Sequence, residues 1–118
     1  MAKGVLFFGW GNATRGREMK ALQVFQEALN YWGGLQQKGE IDSFEPFFLE
    51  PHGGDLVGFL IIKGDQDKLN RVRTAPETLR INTRAGLIVE NFGMVGGWTG
   101  KEMEEQIGLF QAAIGELS

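Results

Sequence analysis

The sequence predicts an α+β domain in which helices cover a four-stranded antiparallel sheet. Three features carry that expectation. Four short runs, VLFFGW, IDSFEPFFL, LVGFLIIK and LIVENFGMV, are dense in the aromatic and branched residues that strands favour. Apolar residues three and four apart fill the gaps between the first and second runs and between the third and fourth, which is helical period. Pro46, inside the second run, has no N–H to give to a ladder and so belongs on a sheet edge.

Val5 to Trp10 is apolar on both alternating faces, the pattern of a strand covered on both sides. From about Arg17 to Gln37, Leu22, Phe25, Leu29 and Trp32 form a stripe that Ala21, Val24, Ala28 and Leu35 widen. This is an amphipathic helix, and the region of Gly39 ends it. Ile41 to Leu49 is the second strand, PHGGD a turn, and Leu56 to Lys63 the third strand. Asp65 is placed to cap a helix that starts QDKLNRVR, because a carboxylate accepts the free N–H groups of a first turn. Pro76 breaks that helix, so a second piece covers PETLRINTRA and stops at Gly86. Leu87 to Val95 is the fourth strand. Thr99 and Glu102 have capping-box spacing for a last helix, striped by Met103, Ile107, Phe110, Ile114 and Leu117.

The bulk properties bound the function. A chain of 118 residues supports one domain, residues 1–118, around one moderate core. A net charge of −3 offers no basic field for nucleic acid or an anionic membrane surface. Without cysteine there are no disulfides and no thiolate metal site. The N-terminal apolar run is too short for a signal peptide, and no run approaches the roughly 20 residues of a membrane span. The expected location is the cytoplasm. The 18 glycines exceed the usual share of about 7% and fall mostly at junctions between segments.

The order β-α-β-β-α-β is the split β-α-β plan, whose second and fourth strands are the edges. Over nearly the whole chain this order resembles the ferredoxin-like fold. Both sheet faces are apolar: Leu6, Phe8 and Trp10 oppose Val5 and Phe7, Phe44 and Phe48 oppose Phe47 and Leu49, and Val57, Phe59 and Ile61 oppose Leu60 and Ile62. Two helices cover one face only, so the other needs a lid. The last helix is one candidate, and a second copy of the sheet is the better one. In this the chain resembles the dimeric α/β-barrel superfamily. That resemblance implies a homodimer joined through the sheet face and a pocket between sheet and helices. It also implies a range of activities: cofactor-free monooxygenases, haem-degrading enzymes, muconolactone-type isomerases and ligand-sensing domains.

The stretch GNATRGREMK, Gly11 to Lys20, has the glycine spacing of a phosphate-binding loop. Arg17 and Glu18 stand where that loop needs Lys and a hydroxyl, and Glu18 repels phosphate. Asn12 and Thr14 shape a turn instead, and Glu18 complements the helix dipole. His52, the only histidine, sits at a hairpin tip; its alternatives are a solvent-exposed turn residue and a catalytic base. One His without Cys assembles no metal centre of familiar spacing, so no metal and no cofactor is expected. Haem-degrading members of the superfamily use a helix-borne His with an Asn and a Trp. Asn12 and Trp10 are present, but no helix here carries a His.

Glu90 and Asn91 interrupt the fourth strand and Glu45 the second. Each carboxylate is either an edge charge that discourages strand pairing or, if it faces an apolar pocket, an acid or base of raised pKa. Arg71, Arg73, Arg80 and Arg84 form a solvated face from which one guanidinium is available to a ligand carboxylate. Trp10, Tyr31, Trp32 and Trp98 are expected near one cavity, with Asn12, His52 or Glu90 at its polar end. The ligand this suits is small and apolar or amphipathic: aromatic, polyketide-like or fatty-acid-like. The first functional reading is a binding module for such a ligand. The second is a cofactor-independent monooxygenase or isomerase with Glu90 or His52 as base.

Overall fold

The structure is a computed structural model that describes residues 2–118. Its elements follow the predicted order: β1 Lys3–Trp10, α1 Glu18–Gln37, β2 Ser43–Phe48, β3 Gly58–Asp65, α2 Gln66–Arg73, α3 Pro76–Gly86, β4 Gly93–Gly97 and α4 Gly100–Glu116. The four strands form one antiparallel sheet in the order β2-β3-β1-β4. The strand with Pro46 is therefore an edge strand, as the missing N–H requires. The chain has the ferredoxin-like fold.

Local chemistry sets the boundaries. Helix α1 ends in a Schellman motif: Gly39, at φ 76°, donates its N–H to Gln36 O, and Glu40 donates to Leu35 O. The Asp65 side chain accepts from the Lys68 N–H at 3.1 Å and caps α2. Pro76 is the first residue of α3, and Ala75 before it is extended, since the proline ring excludes helical backbone there.

Register sorts the sheet into two faces. Leu6, Phe8 and Trp10 align with Ile62, Leu60 and Gly58 on β3, and these with Phe44, Pro46 and Phe48 on β2. This face carries α1, α2 and α3, and its core joins Leu6, Phe8, Leu60 and Ile62 to Trp32, Ile41, Leu69 and Val72. The other face presents Val5, Phe7, Phe47, Phe59, Ile61 and Val95. There Phe7 and Phe59 stack at 5.5 Å, and Phe59 and Phe47 at 4.7 Å. Among the described residues nothing covers this face, and its aromatic rings are half-buried only by each other and their neighbours.

The structure departs from the sequence reading at the fourth strand, at the last helix as a candidate cover and at that helix's capping box. The fourth strand begins at Gly93, not Leu87. Helix α3 keeps Gly86 and is followed by a loop in which Ile88 enters the core, Val89 makes a lone bridge to Ala13, and Asn91 turns the chain at φ 55°. Glu90 and Asn91 are thus loop residues. Helix α4 does not fold over the open face. It has no buried residue, and its stripe Met103, Ile107, Phe110, Ile114 and Leu117 is 44–88% exposed. The Cα radius of gyration is 16.4 Å, where a compact chain of this length has about 13 Å; α4 projects. Nor does the predicted capping box form. The Thr99 side chain makes no cap, and Glu102 Oε1 instead accepts the Lys3 N–H at 2.6 Å.

Candidate functional site

Between the sheet and the pair α1–α3 lies a cleft of about 320 Å³, the size of about ten water molecules. Its floor is Phe8, Trp10 and Leu60, its helix wall Val24, Phe25, Ala28 and Trp32, and its far wall Ile81, Ala85 and Ile88. Sequence periodicity put large apolar residues on the inner stripe of α1, but alanines at 21, 28 and 85 leave space between the layers. The mouth is framed by Glu18, Leu22 and Phe48, of which Leu22 is 57% and Phe48 65% exposed.

Trp10 is held in the floor by a glycine opposite. It is aligned with Gly58, where an added methyl carbon would stand 2.7 Å from Trp10 Cζ2. The bare backbone lets the indole lean across β3, where it meets Phe25 at 5.7 Å and Phe48 at 6.3 Å. Trp32 is 2% exposed and packs edge-on to Phe8 at 5.4 Å. It belongs to the core and to the cleft wall at once.

Two lining side chains are polar. Glu18 stands at the mouth, in the first turn of α1. Asn82 lies on α3, half-buried, and its Nδ2 donates to Met94 Sδ at 3.6 Å. A thioether is a weak acceptor, so the amide remains available to a stronger partner. Beside the cleft, Tyr31 Oη and Thr78 Oγ1 are 2.6 Å apart. On the outside, Glu27 of α1 pairs with Arg80 and, at 2.8 Å, with Arg84 of α3. Hydrogen bonds to Glu77 and then Glu27 raise the pKa of Arg80 above its ordinary value. Two of the four arginines left open as ligand partners are thereby engaged in tying α1 to α3.

The sequence-predicted residues divide. Trp10 and Trp32 line the cleft, and Tyr31 stacks edge-on against Trp32 at 5.2 Å without lining it. Trp98 lies outside, 54% exposed after β4. Glu90 is exposed; its backbone is used, the N–H donating to Asn12 O and the carbonyl accepting from Gly11 N at 2.6 Å. Asn12 and His52 border a separate hollow around residues 49–57. His52 Nδ1 accepts the Gly54 N–H at 3.2 Å, which assigns the proton to Nε2, and that nitrogen donates to Leu56 O at 2.7 Å. Both ring nitrogens brace the hairpin loop. Glu45 is exposed on β2.

The glycine-spaced loop before α1 is a turn. The Gly11 N–H goes to Glu90 O, the Thr14 N–H to Ile88 O and the Arg17 N–H to Thr14 O. A phosphate cradle needs such N–H groups free and convergent.

Sequence reading missed both polar lining residues, giving Glu18 only a helix-dipole role and passing over Asn82. The signal for Asn82 was a polar residue four positions after Thr78 and beside Ile81, on the stripe by which α3 packs inward. Among the described residues, no three His, Cys, Asp or Glu gather as a metal would need, and no helix is long and apolar enough to cross a membrane.

No protein-family model matches the chain, and no curated protein matches it by sequence. Solved structures match it by fold. A ferredoxin-like protein of the DABB family from Mesorhizobium loti superposes with TM-score 0.64 at 12% identity, over 83% of this chain and 98% of its own. A cofactor-independent oxygenase from Streptomyces nogalater gives 0.57 at 13% identity, over 86% and 96%. A hydroxynitrile lyase from Passiflora edulis gives 0.64 at 11%, over 86% and 97%. The shared fold nearly exhausts those proteins but leaves 14–17% of this chain over. Helix α4, with 17 of 118 residues, is a segment of that size.

Proposed function

We propose that this protein is a homodimeric binding module for a small apolar or amphipathic molecule, aromatic, polyketide-like or fatty-acid-like, held in the cleft between the sheet and α1–α3. The observation that carries the reading is the lining: aromatic and aliphatic on every wall, with Asn82 inside and Glu18 at the rim. Such a site recognises shape and apolar area and reads one hydrogen-bonding group. The ligand end that meets Asn82 bears a hydroxyl, carbonyl or amide; the apolar remainder lies along Phe8, Trp10 and Trp32. Two copies join through the open sheet face, where six apolar side chains lack a cover.

An enzymatic version, a cofactor-independent monooxygenase or isomerase, draws support from the fold it shares with an oxygenase and a lyase. Glu18 is the one ionisable side chain in the lining, so acid–base chemistry here would fall to it. His52 and Glu90, the bases expected from sequence, stand outside the cleft. Binding asks for nothing beyond the groups present and is the reading we keep.

The test is titration with decanoic acid and with 1-naphthol, followed by tryptophan fluorescence in a Trp98→Phe background. The expected result is a saturable change that Ala85→Leu, which fills the cleft, abolishes. A linear response to both probes, or saturation untouched by that filling, defeats the proposal. Consumption of the probe under air would select the enzymatic version.

A further inference from the structure

Helix α4 is a helix without a reason to exist in the isolated chain. No residue on it is buried, no side chain caps its start, and glycines stand at 108 and 115 with open space where a side chain would go. Each glycine costs a helix about 1 kcal/mol relative to alanine. Helices in proteins draw most of their stability from burying one face. The face is there: Met103, Ile107, Phe110, Ile114 and Leu117 form one stripe, with Glu104 and Glu105 turned away from it. Glu102 and Gln106, on the flank of the stripe, are half-buried. The Glu102 bond to the Lys3 N–H ties the first turn to the start of β1, and the stripe is left facing outward.

The same chain has a second uncovered apolar surface, the open sheet face. Four strands about 4.8 Å apart, each some six residues of about 3.3 Å, give that face a footprint of about 400 Å². A stable interface takes about 800 Å² per partner. Accessible surface exceeds the flat footprint of the same patch, so the face alone lies toward the low end of the interface range, about 600 Å² per partner. Helix α4 begins three residues after β4, which borders the face, and at about 1.5 Å per residue it runs about 26 Å. Its stripe supplies a second exposed apolar strip, on the element that directly follows the edge strand of that face.

We infer that α4 is an arm that packs in trans, its stripe laid on a second copy of this chain along the margin of the sheet-to-sheet contact. In a two-fold dimer the contact is made twice, each arm lying on the other copy. The inference rests on the dimer proposed above.

Hydrogen exchange of the unaltered protein tests it without a variant. At concentrations well above the dimer dissociation constant, amides of residues 103–114 should be protected, and dilution below it should release them. Free exchange at both concentrations, or protection that dilution leaves unchanged, overturns the inference. In parallel, Ile107→Asp combined with Phe110→Asp should weaken the dimer at least about tenfold while the cooperative melt of the core persists, because α4 contributes nothing to that core. A dimer of unchanged affinity in this variant refutes the arm and leaves the sheet contact standing. An unaltered chain that stays monomeric at every concentration removes both.

Discussion

Tyr31 Oη and Thr78 Oγ1 meet at 2.6 Å where α1 crosses α3, and Thr78 has no exposed surface. Two polar groups in an apolar interface hold each other's hydrogen-bonding capacity. They fix the spacing of the helices that wall the cleft.

Removing one partner should cost more than removing both. Tyr31→Phe is expected to destabilise by about 1–3 kcal/mol, because the Thr78 hydroxyl loses its partner in a dry site. Thr78→Val on that background should recover part of the loss. Urea unfolding of the two single variants and the double variant checks the cycle; strict additivity would show that the pair is not coupled.

Trp32 has two duties that one substitution separates poorly. Its burial at 2% exposure makes Trp32→Ala a core deletion costing about 3–5 kcal/mol. Gly58→Ala is the more direct probe of the floor. Its added carbon would stand 2.7 Å from Trp10 Cζ2 and 2.8 Å from the Phe47 carbonyl oxygen, so it displaces the ring and strains the β2–β3 pairing; weaker binding of 1-naphthol is expected, with a loss of melting temperature smaller than that of Trp32→Ala.

The open face gives a prediction on mass. Light scattering at micromolar concentration should give twice the 13.1 kDa of the chain. Phe7→Asp should bring it toward the single-chain value, since the change sets a charge in the centre of the proposed contact. A native protein already at 13.1 kDa would count against the dimer.

Glu102 supplies a pH dependence. The Lys3 N–H bonded to its carboxylate holds the pKa below the ordinary 4.5. A group whose pKa is lower folded than unfolded stabilises the folded form above its unfolded value, and that contribution disappears as pH falls through the folded one. The anchor of α4 should therefore hold at neutral pH and release in acid, below pH 4.5. The amide shift of Lys3 followed by NMR from pH 7 downward should titrate with that carboxyl, and Glu102→Gln should remove the step.

ATP with magnesium should leave the melting temperature unchanged, because the N–H groups of Gly11, Thr14 and Arg17 are already taken and only a ligand of the native state shifts the transition. An upward, saturable shift lost in Arg17→Ala would restore the phosphate loop.

The fold was largely legible because its punctuation is local. Asp65, Pro76, Gly39 and Pro46 each act through their own backbone or first turn, and each did what its chemistry dictates. The fourth strand was misjudged because LIVENF looks like a strand by composition; the apolar side chains Ile88 and Phe92 serve the core from a loop, and the positive φ of Asn91 is a backbone fact. The site was half legible. Trp10 and Trp32 announce themselves as large rings on inward positions; Asn82 lies on the inward stripe of α3, but whether that flank meets the cleft or the core depends on how the helix is rotated over the sheet. That rotation is a tertiary property. His52 drew notice as the lone imidazole, although its two nitrogens are spent on Gly54 and Leu56 within its own loop.

Sheet edges decide whether a protein with exposed aromatics stays discrete. Here β2 ends the sheet with a proline in mid-strand, and β4 ends it with five residues, three of them glycine. Neither offers a long ladder of free backbone groups to a passing strand. Growth by lateral strand addition, the route to fibres, finds no long template on either side, even though the sheet presents bare aromatic rings on one face.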